Sequence, residues 1–274
     1  MASHKTPSGH RARKRFGQNF LIDESVIGSI VRAVSPKADE RVVEIGPGQG
    51  AITGPLLARN PNLQVVELDR DLIPVLLAQF ANFRGFKIHQ SDALKFDFAS
   101  LVEAGQKLRV VGNLPYNIST PLIFHLLSFS GLISDMHFML QKEVVERLAA
   151  QAGDSAYGRL GIMAQYYCRV EKLFLVPPGA FNPPPKVDSA IVRLTPYAEL
   201  PLKAEDTELL QEVVRIAFGQ RRKTLRNNLK PLISGEQLEA IGIDPGLRPE
   251  KLELADFVKI ADTVYHQRQQ KNQE

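Results

Sequence analysis

Short apolar runs alternate with amphipathic segments along the first two thirds of the chain. The runs predict buried strands at residues 41–45, 64–69, 86–90 and 136–140 and in the run that ends at Asn113. Segments between them carry apolar residues at helical spacing, beginning with one that Asp23 can cap and that ends before Pro36. Strands that alternate with helices in this way predict an α/β fold.

The pattern changes at about residue 198. Residues 165–176 and 187–195 alternate as an antiparallel edge pair would, and only helices are predicted after them. These helices are expected at residues 207–218, 222–232, 236–241 and 254–266. The sequence therefore predicts two domains, an α/β domain over residues 1–198 and a small all-helical domain over residues 199–274.

Composition is that of a soluble globular protein. The chain has 274 residues, and its 44% hydrophobic content is enough for a substantial core. Cys168 is the single cysteine, which excludes an internal disulfide, and the histidines lack the spacing of a zinc site. No apolar run reaches the roughly 18 residues of a membrane span. We therefore expect a cytoplasmic protein with no metal and no membrane partner.

Positive charge is concentrated in two windows of the chain. Residues 1–20 carry +5 and residues 215–230 carry +6, which leaves −7 for the rest of a chain whose net charge is +4. Such clusters indicate a polyanionic partner, although a basic helical face is often only solvated. The residues expected to contact RNA phosphates are Arg13, Lys14, Arg15, Arg221, Arg222, Lys223 and Arg226.

A glycine-rich turn follows the first predicted strand. Glycines occupy positions 46, 48 and 50, directly after the strand that contains Glu44, and no Lys or Arg lies between residues 42 and 58. A strand, a glycine turn and a helix form the nucleotide-binding geometry of doubly wound sheets. Because this turn lacks cations and the usual phosphate-binding spacing, it suits a cationic sulfonium compound better than a triphosphate.

Acidic residues follow the next two strands. Glu67 and Asp69 lie about 20 residues beyond the first glycine, where a carboxylate commonly accepts hydrogen bonds from ribose hydroxyls. The spacing does not choose between them, because both are expected on the same strand face. Asp92 could accept a hydrogen bond from an adenine amino group. Each acid could instead be a helix cap or a solvated turn residue.

The stretch from Asn113 to Tyr116 predicts a seat for a planar amine. The side-chain oxygen of Asn113 and the carbonyl of Leu114 could each accept an N–H bond from adenine, drawing the nitrogen lone pair out of the ring. Tyr116 would stack on the base. The alternative is a strand-to-helix turn with a core tyrosine. A loop with five prolines at residues 177–186 could hold Phe181 as a second stacking ring, or could anchor it in the core.

With these motifs in view, the chain closely resembles the 16S rRNA adenine dimethyltransferase family from Arg11 to about Ala261. The most specific matches are Arg13–Leu21, Glu44–Gly50, Gly112–Pro121, Met136–Val144 and Phe181–Val192. This resemblance implies a Rossmann-like class I methyltransferase sheet with a small helical C-terminal domain, and S-adenosylmethionine as the methyl donor. It also implies dimethylation of two adjacent adenines near the 3′ end of 16S rRNA in the small ribosomal subunit or its precursor, by a monomer that serves ribosome biogenesis.

The resemblance also assigns roles around the cofactor. It implies that Asn19 and Leu21 close over the cofactor, with Gly46 beneath it. By the same likeness, Glu67 rather than Asp69 holds the ribose. Asp92 would hold the cofactor adenine, and Asn113 would join cofactor to substrate.

Two other functions remain open at this point. A resistance-type methyltransferase that acts on large-subunit RNA shares the glycine turn and the Asn-x-Pro-Tyr turn, but the match from Phe181 to Val192 disfavours it. Alternatively, the protein serves chiefly as a ribosome-assembly factor, with its basic patches docking on an immature subunit.

Overall fold

The computed structural model describes residues 19–220 and 222–271, so the predicted RNA-binding residues Arg13, Lys14, Arg15 and Arg221 lie outside the described residues. The chain divides into two compact units. Of the described residues, the first unit comprises 19–145 and 169–196, and the second comprises 146–168, 197–220 and 222–271. The sequence prediction placed 146–168 in the first domain, whereas the structure groups this segment with the helical residues.

A seven-stranded sheet forms the centre of the first unit, with strand order β4-β3-β2-β5-β6-β9-β7. Its strands are β2 (Arg41–Ile45), β3 (Gln64–Glu67), β4 (Lys87–Gln90), β5 (Leu108–Asn113), β6 (Ile133–Gln141), β7 (Cys168–Val176) and β9 (Ser189–Pro196). Strands β2 to β6 pair in parallel, and β9 pairs antiparallel with β6. This confirms the predicted α/β class. Of the predicted edge pair, only β7 lies at an edge, because β9 is enclosed between β6 and β7.

The strand order places a topological switch point beside β2. The chain runs from β2 outward to β3 and β4, then returns to β5 on the other side of β2. Crevices at the carboxyl ends of such strands are the usual ligand sites of open α/β sheets. The helices of this unit are α1 (Glu24–Val34), α2 (Thr53–Leu57), α3 (Ile73–Gln79), α4 (Ser119–Leu127) and the start of α5 (Lys142–Ala149).

A second, two-stranded sheet places the first described residues beside that crevice. Strand β1 (Phe20–Leu21) pairs antiparallel with β8 (Phe181–Asn182), and the N–H of Ile22 donates to the carbonyl of Ala180 at 2.8 Å. Asp23 then caps α1, as predicted, by accepting hydrogen bonds from the N–H groups of Ser25 and Val26.

The second unit is helical. Its helices after the shared α5 are α6 (Arg159–Tyr167), α7 (Thr207–Ala217), α8 (Leu225–Asn228), α9 (Gly235–Ala240) and α10 (Leu254–Lys271). The predicted strand at 165–176 was wrong at its start: α6 buries residues on nearly every face, so its sequence shows no clear helical period. The predicted helix at 222–232 shrinks to α8, whereas α10 continues past its predicted end. None of the helices in the described part of the chain could span a membrane.

Candidate active site

A cavity of about 690 Å³ lies at the carboxyl ends of β2, β3 and β5. The predicted site residues that line it are Asn19, Leu21, Gly46, Glu67, Asn113, Leu114 and Tyr116. All of these residues belong to the first unit. The volume is within the usual range for small-molecule sites.

The floor of the cavity is the glycine turn after β2. Gly46 and Gly48 have φ of 66° and 58°, a left-handed backbone that other residues adopt only at a cost. A Cβ on Gly48 would also lie 3.3 Å from the Phe20 ring. Glycine at position 48 therefore lets Phe20 of β1 lie close to the turn.

Two buried carboxyl groups border this turn. Burial raises the pKa of Glu44 to about 7, although its carboxylate accepts a hydrogen bond of 2.6 Å from the Thr53 hydroxyl. Burial likewise raises the pKa of Glu67, which accepts from the backbone N–H groups of Asp69, at 2.7 Å, and of Gly48. Both residues line a cavity that, among the described residues, no Lys, Arg or His side chain lines. The surroundings therefore favour a cationic ligand.

Asn113 lies at the last position of β5, with its amide held by the chain before β1. Its Nδ2 donates to the carbonyl of Asn19 at 3.3 Å, so Oδ1 is the atom left to accept. The next residue is fixed as well, because the N–H of Leu114 donates to the carbonyl of Met139 at 3.2 Å. A Cβ on Gly112 would lie 2.8 Å from the carbonyl of Ile45, so glycine is required there for β5 to approach β2.

Tyr116 is half-buried at the cavity wall. Its hydroxyl shares a hydrogen bond of 2.8 Å with the hydroxyl of Ser189, and burial raises the pKa of the tyrosine. Sequence reasoning missed Ser189, because a contact across 73 positions leaves no local pattern. It also missed Asn182, which lines the cavity.

Two predicted residues are not brought to the cavity. Phe181 is 3% exposed and packs in the apolar core with Leu21 and Ile191, which fits the alternative of a core anchor. Its pairing with Leu21 turns it inward and leaves its neighbour Asn182 at the cavity. Asp92 is half-buried and accepts from the N–H of Leu94 at 3.0 Å, while Ser91 lines the cavity instead.

The predicted RNA-binding residues that the structure describes are exposed. Arg222 and Lys223 extend from a turn before α8, and Arg226 contacts Glu239 at 3.5 Å. Since both members of that pair are largely exposed, water screens it and its energy is small. These side chains are accessible to a large anionic partner.

Comparison with known proteins now identifies the family. The model of the family described as ribosomal RNA adenine dimethylase matches residues 9–265. The protein named ribosomal RNA small subunit methyltransferase A from Pseudomonas aeruginosa is 67% identical over 255 residues, covering 93% of this chain and 95% of the relative. The protein of the same name from Marinobacter nauticus is 66% identical over 256 residues, covering 93% and 92%.

Solved structures agree in fold. A dimethyladenosine transferase from Plasmodium falciparum superposes with a TM-score of 0.75 at 28% identity, covering 92% of this chain and 98% of that chain. The 23S rRNA methyltransferase ErmE superposes with a TM-score of 0.70 at 24% identity, covering 90% and 100%, and at that identity the likeness concerns the fold alone. The family match and the relatives that cover nearly the whole chain confirm the resemblance seen in the sequence, and this protein belongs to the ribosomal RNA adenine dimethylase family.

Proposed function

We propose that this protein transfers methyl groups from S-adenosylmethionine to the exocyclic amines of two adjacent adenosines near the 3′ end of 16S rRNA, in the small ribosomal subunit or its precursor. The observation that carries the proposal is the fixed amide of Asn113, whose nitrogen is engaged by Asn19 and whose oxygen is left to accept. It stands at the carboxyl end of β5, beside the glycine turn.

The residues of the cavity fit S-adenosylmethionine. When bound, this cofactor supplies a methyl group on a positively charged sulfur. Gly46 and Gly48 allow close approach to the backbone, and the carboxylate of Glu67 would accept from the ribose hydroxyls. Glu44 and Glu67 line a cavity that no cationic side chain of the described residues lines, and a bound cation would favour their charged forms, which favours the sulfonium over a phosphate. Asn19, just before β1, and Leu21, in β1, would close over the cofactor.

Substrate activation is assigned to the turn after β5. The adenine amine is a weak nucleophile because its lone pair is delocalised into the ring. The Asn113 side-chain oxygen and the Leu114 carbonyl would each accept one N–H, which pulls the nitrogen toward tetrahedral geometry. Tyr116 would stack on the base and hold its plane. No strong base is required, because the amine becomes acidic once it is alkylated.

Two methylations at one nitrogen restrict this arrangement. After the first transfer the nitrogen retains a single N–H, so the second transfer proceeds with one acceptor bond fewer. Orientation of the monomethylated base must then depend more on stacking and on the shape of the pocket. The site must also accommodate the methyl group already present.

Small-subunit RNA is the proposed substrate because the relatives that match nearly the whole chain carry that name. The exposed Arg222, Lys223 and Arg226 of the helical unit would contact phosphates, together with the basic residues before residue 19. The protein is proposed to act as a monomer in the cytoplasm.

The direct test is to incubate unmethylated small subunits with the protein and isotope-labelled S-adenosylmethionine, and to analyse the rRNA by mass spectrometry. The proposal predicts labelled dimethyladenine at two adjacent positions near the 3′ end of 16S rRNA. Large subunits treated in the same way are the control. Label in 23S rRNA alone would replace this proposal by the resistance-type activity, and absence of label in both would reject methyl transfer.

A further inference from the structure

The ring proposed to stack on the target base is anchored in a different strand. The hydroxyl of Tyr116 shares its hydrogen bond of 2.8 Å with Ser189, which is fully buried. Ser189 is the first residue of β9 and lies opposite Gln141 in the ladder with β6. The anchor therefore belongs to the rigid sheet rather than to a loop.

Tyr116 is held at both of its ends. Its carbonyl accepts a hydrogen bond of 3.1 Å from the hydroxyl of Ser119, the first residue of α4. Its phenol is held by Ser189. The phenol oxygen lies on the axis about which the ring itself rotates, so the bond to Ser189 fixes the first side-chain torsion and with it the position of the ring, but not the rotation of its plane.

We propose, on the basis of the function above, that Ser189 is a positioning residue that fixes where the Tyr116 ring lies, and that this anchor affects the second methyl transfer more than the first. In the first transfer, two N–H groups reach two acceptors, the oxygens of Asn113 and Leu114. In the second, one N–H remains, so stacking on Tyr116 carries a larger share of the orientation.

The test is single-turnover methylation of unmethylated small subunits by Ser189→Ala, with monomethyl- and dimethyladenine measured by mass spectrometry over time. We expect the first transfer to stay within about twofold of wild type and the second to slow roughly three- to tenfold, the scale of one hydrogen bond. Monomethyladenine would then accumulate. Equal slowing of both steps, or no change in either, would overturn the proposal.

A double-mutant cycle with Tyr116→Phe tests whether the two hydroxyls act as one unit. Each single variant removes the same bond, so the double variant should be no slower than either single one. If Tyr116→Phe slowed the first transfer far more than Ser189→Ala, the phenol would act on the substrate itself and the positioning role would be rejected. Tyr116→Phe also carries the test if Ser189→Ala does not fold.

Ser134→Ala is the matched control, because Ser134 lies near the other end of β6 and donates to the carbonyl of Leu108 at 3.3 Å. It should leave the ratio of the two products unchanged. The same shift in this variant would mean general loosening of the sheet and would reject a specific anchor. Failure of wild type to form dimethyladenine would reject the proposed function instead, so the two failures are distinguishable.

Discussion

At the scale of single residues, the cavity is lined by two carboxyl groups that are almost fully buried. Glu44 and Glu67 are 2% and 6% exposed. Glu44 accepts a hydrogen bond from the Thr53 hydroxyl, and Glu67 accepts from the backbone N–H of Gly48. Burial disfavours the charged form of a carboxyl group, and a nearby cation restores it. Binding of a sulfonium compound is therefore linked to loss of a proton near neutral pH.

Glu44 gives this linkage a direction. Its pKa is raised to about 7 in the free protein, so it is largely protonated below that pH and charged above it. Affinity for S-adenosylmethionine should rise as pH increases from 6 to 8, by at most about tenfold per unit. Isothermal titration calorimetry across this range measures the effect.

Glu44→Gln is the matched control, since it retains an oxygen to accept from Thr53 but cannot titrate. Subtracting the pH dependence of Glu44→Gln from that of wild type removes the contributions of Glu67 and of the cofactor's own amine, because both proteins share them. Parallel curves for wild type and variant would mean that Glu44 does not ionise when the cofactor binds. The same pKa shift makes the ligand-free fold less stable as pH rises from 4.5 to about 7.

At the scale of elements, two arginines hold the end of α1. Arg109 donates to the carbonyl of Val34 at 2.7 Å and pairs with Glu40 and Asp135, and Arg193 donates to the carbonyl of Ala33 at 3.1 Å. These bonds satisfy carbonyls that a helix end leaves free. Because Glu24 and Ile27 at the other end of α1 line the cavity, this clamp also fixes one cavity wall.

Replacement of Arg109 by Met should lower the free energy of unfolding by about 2–4 kcal/mol, because Glu40 and Asp135, which are only partly exposed, would lose their arginine partner. Arg109→Lys keeps the positive charge but not the planar guanidinium, and it should lose less stability than Arg109→Met. Urea unfolding of the three proteins provides the comparison. A Met variant as stable as wild type would show that the clamp does not stabilise the fold.

Prediction from sequence succeeded for elements with a local signal. The strand at residues 41–45, the capped helix after Asp23 and the placement of Asn113 at a strand end were confirmed. The ion pairs of Arg109 had no such signal, because its partners Asp135 and Glu40 lie 26 and 69 positions away in the sequence. Phe181 shows the same limit, since its burial depends on pairing with β1 rather than on its own loop.

At the scale of the whole molecule, the chain crosses between its two units more than once. Residues 146–168 belong with the helical unit although the chain returns to the first unit after them, in β7. Within that unit the N–H of Gly153 donates to the carbonyl of Glu250 at 2.7 Å, and the N–H of Ala204 donates to the hydroxyl of Tyr166 at 3.2 Å. Composition alone could not reveal that residues 146–168 belong with the helical unit, because an apolar helix in this segment resembles any other core segment.

The basic cluster of the helical unit makes a prediction about salt. Replacement of Arg222, Lys223 and Arg226 by Ala should weaken binding to small subunits and reduce the slope of log affinity against log salt, by about one unit for each phosphate that the variant no longer binds. Filter binding across a salt series measures the slope. The matched control is Lys251→Ala with Lys259→Ala, two exposed cations in the same unit. Equal slopes for the cluster variant and wild type would mean that the cluster is only solvated.

The central claim is that the Asn113 oxygen activates the adenine amine. The most direct measurement is single-turnover methyl transfer by Asn113→Ala on unmethylated small subunits, with the S-adenosylmethionine Kd determined on the same preparation. We predict that transfer falls by at least about 100-fold, as for loss of a transition-state hydrogen-bonding group, while cofactor binding remains measurable. Transfer at the wild-type rate would contradict the account.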